Sequence, residues 1–281
     1  MITINEFAKK HDFLICVDSD GCAMDTMNIK HFRCFGPCMV DEWELGEWRD
    51  EILARWNDIN LFTLTRGVNR FKGLAMMLSE VSDKYKPIED ISDLLAFVDS
   101  SKELSNSALE REIAKNPDSV ALRKALSWSV AVNKSITELP EDEIKPFPFA
   151  RDALELAHGS ADVAIVSSAN LDAVLAEWEK HGLLPHTDIV LAQNAGSKAA
   201  CISDLLAKGY EPSRVLMCGD APGDLSAAEK NGVGFYPILV GREGDSWLEF
   251  MNTALPRLLD GEYEGDYQTK KTEEFLSNLS K

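Results

Sequence analysis

From Ala161 to Val240 the sequence alternates between short apolar runs and amphipathic segments, and this alternation restricts the possible folds more than any other feature. The apolar runs predict strands at 161–166, 188–192, 214–218 and 233–240, and the segments between them predict helices at 171–180, 197–208 and 222–232. Such an order produces right-handed crossovers and a parallel sheet that is covered by helices on both faces. The sequence therefore predicts an α/β fold.

An earlier apolar run belongs to the same sheet. Residues 13–17 are continuously apolar, and the run stops at Asp18-Ser19-Asp20-Gly21, as a buried parallel strand does when it enters a polar loop. Between this strand and the next lie more than a hundred residues with helical periodicity. We therefore predict a Rossmann-like parallel-sheet core, formed by residues 1–24 and 143–281, with an all-helical cap domain inserted at 25–142.

Local signals predict the remaining elements. Helical spacing of apolar residues marks five segments of the insertion, at 43–62, 68–81, 91–98, 108–115 and 119–139. Thr3 and Glu6 have the spacing of a capping box, which predicts a short opening helix over 4–10. The closely spaced prolines at 145–148 are typical of a linker back to the core, and the tail at 246–281 is predicted to be helical.

Chemically capable side chains follow four of the predicted strands. They are an acidic pair, Asp18 and Asp20; a hydroxyl residue, Ser167; a lysine, Lys198; and a second acidic pair, Asp220 and Asp224. Each has an ordinary alternative, because Asp forms turns, Ser caps helices and Lys is commonly a surface residue. Parallel strands gather their carboxyl-end loops at one edge of the sheet. Together, the four positions therefore predict one site.

The acidic segment at 18–26, Asp18-Ser19-Asp20-Gly21-Cys22-Ala23-Met24-Asp25-Thr26, resembles the first motif of the haloacid dehalogenase superfamily, in its β-phosphoglucomutase-like and phosphatase form. Ser167, Lys198 and the pair Asp220 and Asp224 fall where the later motifs of that superfamily belong, and the insertion resembles its mobile cap. Cys22 departs from the Thr or Val that is usual there, which affects local packing more than chemistry. The resemblance implies a phosphate-transferring hydrolase.

The resemblance assigns roles that agree with the chemistry of phosphoryl transfer. Asp18 would attack phosphorus and form an aspartyl-phosphate, and Asp20 would protonate the leaving alcohol and later deprotonate water. Two carboxylates beside a phosphate dianion require a compensating cation, so Mg²⁺ is the expected cofactor. Its expected ligands are Asp18, the main-chain carbonyl of Asp20, and Asp220, with Asp224 acting through water or by orienting a ligand.

The same resemblance indicates residues that would hold the substrate. Ser167 would donate to a phosphoryl oxygen, and Ser168 and Asn170 lie at the start of the following helix, where backbone N–H groups favour anions. Lys198 would neutralise Asp18 and the transferring group. In the insertion, the segment 64–70 resembles a substrate-specificity loop in which Arg70 contacts the distal part of a phosphorylated sugar. A glycine-ended helix followed by a cap residue explains this segment equally well.

Several functions remain open at this point. A phosphomutase of the β-phosphoglucomutase kind would share every core residue, whereas a dehalogenase would not need Asp20. A phosphonate-cleaving enzyme would need a cap lysine, and neither Lys30 nor Lys72 has a context that singles it out. A non-catalytic phosphate-binding protein is disfavoured because the acidic and lysine positions are all present. We expect a phosphatase that acts on a small phosphorylated metabolite.

Composition and charge limit which binding partners and which cellular location we expect. The formal net charge of −18 and the lack of a Lys/Arg run argue against nucleic acid as a partner. No signal-peptide pattern or membrane-length apolar run is present, so we expect a cytoplasmic protein with no membrane partner. Cys34 and Cys38 lack the further ligands of a zinc site. The sequence does not predict an oligomeric state.

Overall fold

A parallel five-stranded sheet forms the core of the computed structural model, which describes residues 2–280. The strands are β1 (Leu14–Val17), β2 (Asp162–Val166), β3 (Ile189–Leu191), β4 (Val215–Gly219) and β5 (Gly234–Pro237). They lie in the order β3-β2-β1-β4-β5, and all neighbouring pairs are parallel. The predicted α/β fold with a Rossmann-like core is therefore confirmed.

Both faces of the sheet are buried, which explains why apolar residues predominate in the strands. In β1, Ile15 and Val17 pack into one hydrophobic cluster, and Leu14 and Cys16 pack into another on the opposite face. Successive side chains of a strand point to opposite faces, so each face receives every second residue. The second and third strands lie on one side of β1 and the last two on the other. This arrangement makes β1 the point where the strand order reverses.

The chain divides into two compact units, Met1–Met27 with Glu141–Lys281, and Asn28–Pro140. Helices of the second unit are α1 (Met27–Lys30), α2 (Gly36–Glu42), α3 (Arg49–Asn57), α4 (Arg70–Lys84), α5 (Ile91–Ser100), α6 (Asn106–Lys115) and α7 (Val120–Thr137). Single π-helical turns join α1 to α2, at His31–Phe35, and extend α3, at Asp58–Phe62. This unit packs around aromatic side chains, including Trp56 and Trp128, whose ring centroids are 6.0 Å apart.

After the sheet's first strand, the helices of the first unit alternate with the strands or follow them. They are α8 (Ala150–His158), α9 (Leu171–Lys180), α10 (Lys198–Leu206), α11 (Pro222–Asn231), α12 (Glu243–Glu249), α13 (Leu255–Asp260) and α14 (Asp266–Asn278). The predicted helix at 171–180 is confirmed at both ends, and the helical tail is confirmed as α12 to α14. Among residues 2–280, no helix combines the length and apolarity that crossing a membrane requires.

The predicted opening helix over 4–10 is wrong. The Thr3 backbone N donates to Glu6 Oε2 at 2.8 Å, as in a capping box, but the Thr3 hydroxyl donates to the same carboxylate and the Glu6 N–H donates to the Thr3 carbonyl. Only one turn forms. Tertiary contacts then extend the chain, because Phe7 is buried in the core and the backbone N–H groups of Lys10 and His11 donate to Asp162. These long-range bonds replace the intrahelical ones.

Other differences concern the ends of elements and two helices that the sequence analysis did not predict. The last strand ends at Pro237, earlier than predicted, and the segment predicted as one helix at 43–62 is divided among a 3₁₀ turn, α3 and a π turn. The helical stretch from α1 to α2 and the helix α8 were not predicted. In the first unit the linker at 145–148 pairs with the segment 18–26, here called the acidic loop, since the Asp25 backbone N donates to the Lys145 carbonyl at 2.7 Å.

Candidate active site

The loop that follows β1 carries Asp18 and folds back tightly on itself. The carbonyl oxygen of Ser19 accepts hydrogen bonds from the backbone N–H groups of Cys22, Ala23 and Met24, at 3.3, 3.0 and 2.9 Å. Gly21 lies within this turn at φ 82°, a left-handed conformation that a side chain disfavours. The Ser19 N–H donates to Asp18 Oδ1 at 2.7 Å. One oxygen of the Asp18 carboxylate is therefore held by its own loop.

Lys198 holds the other oxygen. Its ammonium Nζ lies 2.5 Å from Asp18 Oδ2 and 2.5 Å from Asp224 Oδ1, although the three residues come from different loops of the sheet. Lys198 is the first residue of α10, which begins after the third strand with Ser197 as its side-chain cap. The side chains of Asp18 and Asp224 are 8% and 0% exposed, so these ion pairs are screened little by solvent.

The loop after β4 supplies two further carboxylates. Asp220 follows the strand directly, and Asp224 lies in the first turn of α11, where its Oδ2 accepts the Ala221 N–H at 3.0 Å. Pro222 begins this helix, a position that suits its fixed φ. Asp18, Asp220 and Asp224 each offer an oxygen, and the three oxygens lie within 4.8 Å of one another. The carboxylate that follows β1 and the two that follow its neighbour β4 therefore converge.

Negative charge is in excess in this cluster, because three buried carboxylates face one ammonium. The pKa of Asp18 is raised to about 7, because burial and, to a smaller extent, the carboxylates of Asp224 and Asp220 outweigh the ammonium of Lys198, which lowers it. Burial lowers the pKa of Lys198, but the carboxylates of Asp18 and Asp224 outweigh it, so the pKa is raised and the side chain stays charged. Like charges about 4 Å apart repel by about 4 kcal/mol near a protein surface. The cluster therefore favours an additional cation.

The donor set suits a hard divalent cation. Three converging carboxylates are the oxygen ligands that Mg²⁺ prefers, and Mg²⁺ completes its octahedron with water or substrate oxygens. Softer metals prefer thiolate or imidazole ligands. Cys22 and Cys218 do lie close by, but burial raises the pKa of both thiols well above the usual value, so they stay protonated. The chemistry of the cluster is therefore that of a carboxylate site for a hard ion.

Asp20 is the more exposed of the first acidic pair. It is half-buried, and its Oδ1 accepts the Thr26 hydroxyl at 2.5 Å. Thr26 is fully buried, so this hydroxyl provides a fixed anchor for a carboxylate that still reaches solvent. The sequence analysis quoted Thr26 only as part of the motif. The signal that could have identified Thr26 is a hydroxyl side chain six residues after Asp20, beyond the turn at Gly21.

The loop after β2 presents the predicted phosphate-binding residues. Ser167 is buried at the strand end, and its Oγ accepts the Ala169 N–H at 3.2 Å. Ser168 and Asn170 are exposed, and Asn170 caps α9 by accepting the backbone N–H groups of Asp172 and Ala173. The helix-capping alternative is therefore observed for Asn170. All three residues lie at the carboxyl end of the strand beside β1.

Arg70 lies in the second unit and is bound within it. Its Nη1 donates to Ser129 Oγ at 3.1 Å and to Asn133 Oδ1 at 2.7 Å, and its guanidinium lies 5.0 Å from the centroid of the Phe35 ring. Burial lowers its pKa. The preceding Asn69 caps α4, as the helix-cap alternative for this segment predicts. The role of Arg70 toward a substrate stays a prediction.

A glycine before Asp220 provides a test of this geometry. A Cβ at Gly219 would overlap the carboxylate and Cβ of Asp224, so Gly219→Ala must displace the group that holds Lys198. We expect at least about a tenfold loss of turnover, because a small displacement of catalytic groups is costly. Gly223→Ala is the matched control, since its Cβ would meet no atom within 4 Å. Equal activity of the two variants would contradict the importance of the Asp224 and Lys198 pair.

The chain is similar to known proteins, both in a family model and in solved structures. A family model described as haloacid dehalogenase-like hydrolase matches residues 68–238, more than half of the chain. The chain is similar in structure to a haloacid dehalogenase-like hydrolase from Streptococcus pneumoniae, with 15% identity, coverage of 94% of this chain and 98% of that one, and a TM-score of 0.46. It is also similar to a predicted phosphoglycolate phosphatase from Haemophilus somnus, with 15% identity, coverage of 80% and 85%, and a TM-score of 0.46. No curated protein matches the chain in sequence.

Proposed function

Since the chain belongs to the haloacid dehalogenase-like hydrolase family, we propose that it is a magnesium-dependent phosphatase whose nucleophile is the Asp18 carboxylate. Its substrate in this proposal is a small phosphorylated metabolite, and the reaction passes through an aspartyl-phosphate. We assign catalysis to the first unit and the role of a cap to the second, with boundaries near those of the two compact units.

One observation carries this proposal, namely the position of Lys198 between Asp18 and Asp224 with Asp220 nearby. Phosphoryl transfer needs a nucleophile in a fixed orientation and positive charge around the transferring group. Lys198 supplies both, since it binds one Asp18 oxygen while the Ser19 N–H binds the other. A carboxylate that served only as a turn former would not require a buried ammonium partner.

In the first step Asp18 attacks phosphorus and the bond to the leaving oxygen breaks. Asp20 donates its proton to that oxygen, and in the second step it accepts a proton from the water that hydrolyses the aspartyl-phosphate. The Thr26 hydroxyl orients Asp20 in both steps through Oδ1. The partial exposure of Asp20 suits this role, because the same carboxyl must meet the leaving group and then water.

Groups at the sheet edge would hold the phosphoryl oxygens. Ser167 would donate its hydroxyl, and Ser168 and Asn170 lie at the start of α9, where the positive end of the helix dipole favours an anion. Asp18, Asp20 through its main-chain carbonyl, Asp220 and Asp224 would hold Mg²⁺, with Asp224 acting as an orienting residue. When bound, Mg²⁺ would neutralise charge on the phosphoryl group. In the second unit we keep Arg70 as a proposed substrate residue.

The test is release of inorganic phosphate from a panel of phosphorylated sugars, nucleotides and hydroxy acids. We expect release without any bisphosphate primer, loss of at least about a hundredfold with a chelator, and recovery when Mg²⁺ is returned. Asp12→Asn, on the surface of the same unit, should behave as wild type. Phosphate retention with a primer requirement would identify a phosphomutase. Full activity in the chelator would contradict the metal assignment.

A further inference from the structure

Two tryptophans lie beneath the acidic loop and each donates its indole N–H to it. Trp178 Nε1 donates to Ser19 Oγ at 2.8 Å, and Trp247 Nε1 donates to the carbonyl oxygen of Cys22 at 2.9 Å. Both side chains are fully buried, and they belong to the hydrophobic cluster on one face of the sheet. They come from α9 and α12, which are far apart in the sequence. The loop is therefore bound at two points by two different helices.

The bond from Trp178 to Ser19 is important because Ser19 lies between Asp18 and Asp20 in the sequence. The Ser19 backbone N–H fixes Asp18 Oδ1, and its carbonyl oxygen accepts the three N–H groups that close the turn leading back from Asp20. A rotation of Ser19 would therefore move both carboxylates. The side chain of Ser19 is bound by the Trp178 indole, and this bond is shielded from water because both residues are fully buried. Buried bonds of this kind are costly to leave unmade.

The second bond acts on the far side of the same turn. Cys22 accepts from Trp247 while its own N–H donates to the Ser19 carbonyl, so the two clamped residues are directly hydrogen-bonded to each other. Helix α12 is itself fixed to the last strand, because the Tyr236 hydroxyl donates to the Ser246 carbonyl at 2.6 Å. The loop is thus attached to a rigid part of the core.

Helix α9 connects the loop to the predicted phosphate-binding residues. Its first turn is capped by Asn170, three residues after Ser167, and its last turn carries Trp178. One helix therefore contacts the acidic loop through Trp178 and begins at the loop after β2. Preorganised sites depend on supporting bonds of this sort, because a misplacement of about 1 Å can lower a rate about a hundredfold.

We propose that Trp178 and Trp247 are positioning residues that clamp the acidic loop and so set the orientation of Asp18 and Asp20 for phosphoryl transfer. The proposal rests on the proposed function. A purely structural role needs only apolar volume, which Phe supplies in part, whereas positioning needs the indole N–H. The two roles therefore differ in what the loss of the donor does.

The kinetic test compares Trp178→Phe and Trp247→Phe with Tyr263→Phe. Tyr263 is a buried residue of the same cluster whose hydroxyl donates to the Phe235 carbonyl, in the last strand, so its variant loses a comparable bond away from the loop. We expect each tryptophan variant to lose about tenfold in kcat with KM within about twofold. The control should keep its kcat. Equal kcat in all three variants would overturn the proposal.

A double-mutant cycle separates positioning from general destabilisation. If Trp178 acts through Ser19 Oγ, then Ser19→Ala should lower kcat about as much as Trp178→Phe, and the double variant should lose little more. Additive losses would overturn the route through Ser19. Ser19→Ala also removes the bond by a small change, so it tests the clamp from the loop side even where Trp178→Phe fails to fold.

Hydrogen exchange tests the clamp without any substrate. The amides of Cys22, Ala23 and Met24 should exchange faster in both tryptophan variants than in wild type, by more than the exchange of strand β5 does. In Tyr263→Phe the exchange of strand β5 should increase more than the exchange of the Cys22, Ala23 and Met24 amides. Unchanged exchange in the acidic loop would overturn the proposal even if phosphate release is observed. Faster loop exchange in a protein without phosphatase activity would support the clamp and contradict only the proposed function.

Discussion

Replacing Asp18 by Asn is expected to abolish turnover, with a loss of about ten-thousandfold or more in kcat. The amide is nearly isosteric with the carboxylate, so Ser19 and the sheet keep their positions, but the amide is no nucleophile and cannot form the acyl phosphate. Steady-state phosphate release on the best substrate measures the effect. Asp12→Asn, which removes an exposed carboxylate of the same unit, is the control and should change kcat by less than about twofold.

The same substitution has an expected effect on stability, with a defined sign. The pKa of Asp18 is raised to about 7 in the folded protein, mainly by burial, against an ordinary value of 3.8. The folded state therefore binds a proton more tightly than the unfolded state between these pH values. The metal-free protein should therefore lose stability as pH rises from about 4 to about 7. Asp18→Asn should lack this loss and be the more stable protein at pH 8, as measured by urea unfolding with chelator.

A pH profile that is the same for the two proteins would contradict the burial of an ionisable Asp18. Substantial magnesium-dependent turnover by Asp18→Asn would contradict its assignment as nucleophile. The two outcomes are independent, because unfolding needs no substrate.

Replacing Asp20 by Asn is expected to separate the two chemical steps. The amide cannot protonate the leaving oxygen or deprotonate water, and each of these proton transfers is worth about a hundredfold to ten-thousandfold. Phosphorylation of Asp18 should be slow, and hydrolysis should be slower, because water is a poorer nucleophile without a base. Quenched-flow measurement should show less released phosphate than consumed substrate.

The control for Asp20→Asn is Asp25→Asn in the same loop. Asp25 is exposed, and partial burial of its carboxyl group raises its pKa. The Asp25→Asn variant should carry out both phosphorylation of Asp18 and hydrolysis of the aspartyl-phosphate at the wild-type rate. A loss of the same size in both variants would show that any disturbance of this loop is harmful, and would contradict a specific acid and base role for Asp20.

The predicted site depended on residues whose signals are local. Asp18, Lys198 and Asp220 each follow an apolar run, and parallel topology then determines that their loops meet at one edge. A pattern of strand ends was enough to predict that convergence, and the structure places an oxygen of Asp18, one of Asp220 and one of Asp224 within 4.8 Å of one another. The chemical roles of these residues stay proposals.

What the sequence could not predict arises from contacts between distant parts of the chain. Glu6 accepts the Thr3 N–H, but no helix follows, because Asp162 accepts the N–H groups of Lys10 and His11. Trp178 and Trp247 look like ordinary core positions of amphipathic helices, and only the three-dimensional arrangement directs their N–H groups at Ser19 and Cys22. Periodicity reports which face of a helix is buried, and not the partner of a buried polar atom.

The most direct test of the central claim is to locate the phosphoryl group on the enzyme. The Asp20→Asn variant is mixed with substrate and Mg²⁺, quenched in acid and digested, and the peptide that spans β1 and the acidic loop is examined by mass spectrometry. The account predicts one added phosphoryl group on Asp18, absent when Asp18→Asn is combined with Asp20→Asn. A phosphoryl group on another residue, or turnover without any labelled enzyme, would contradict it.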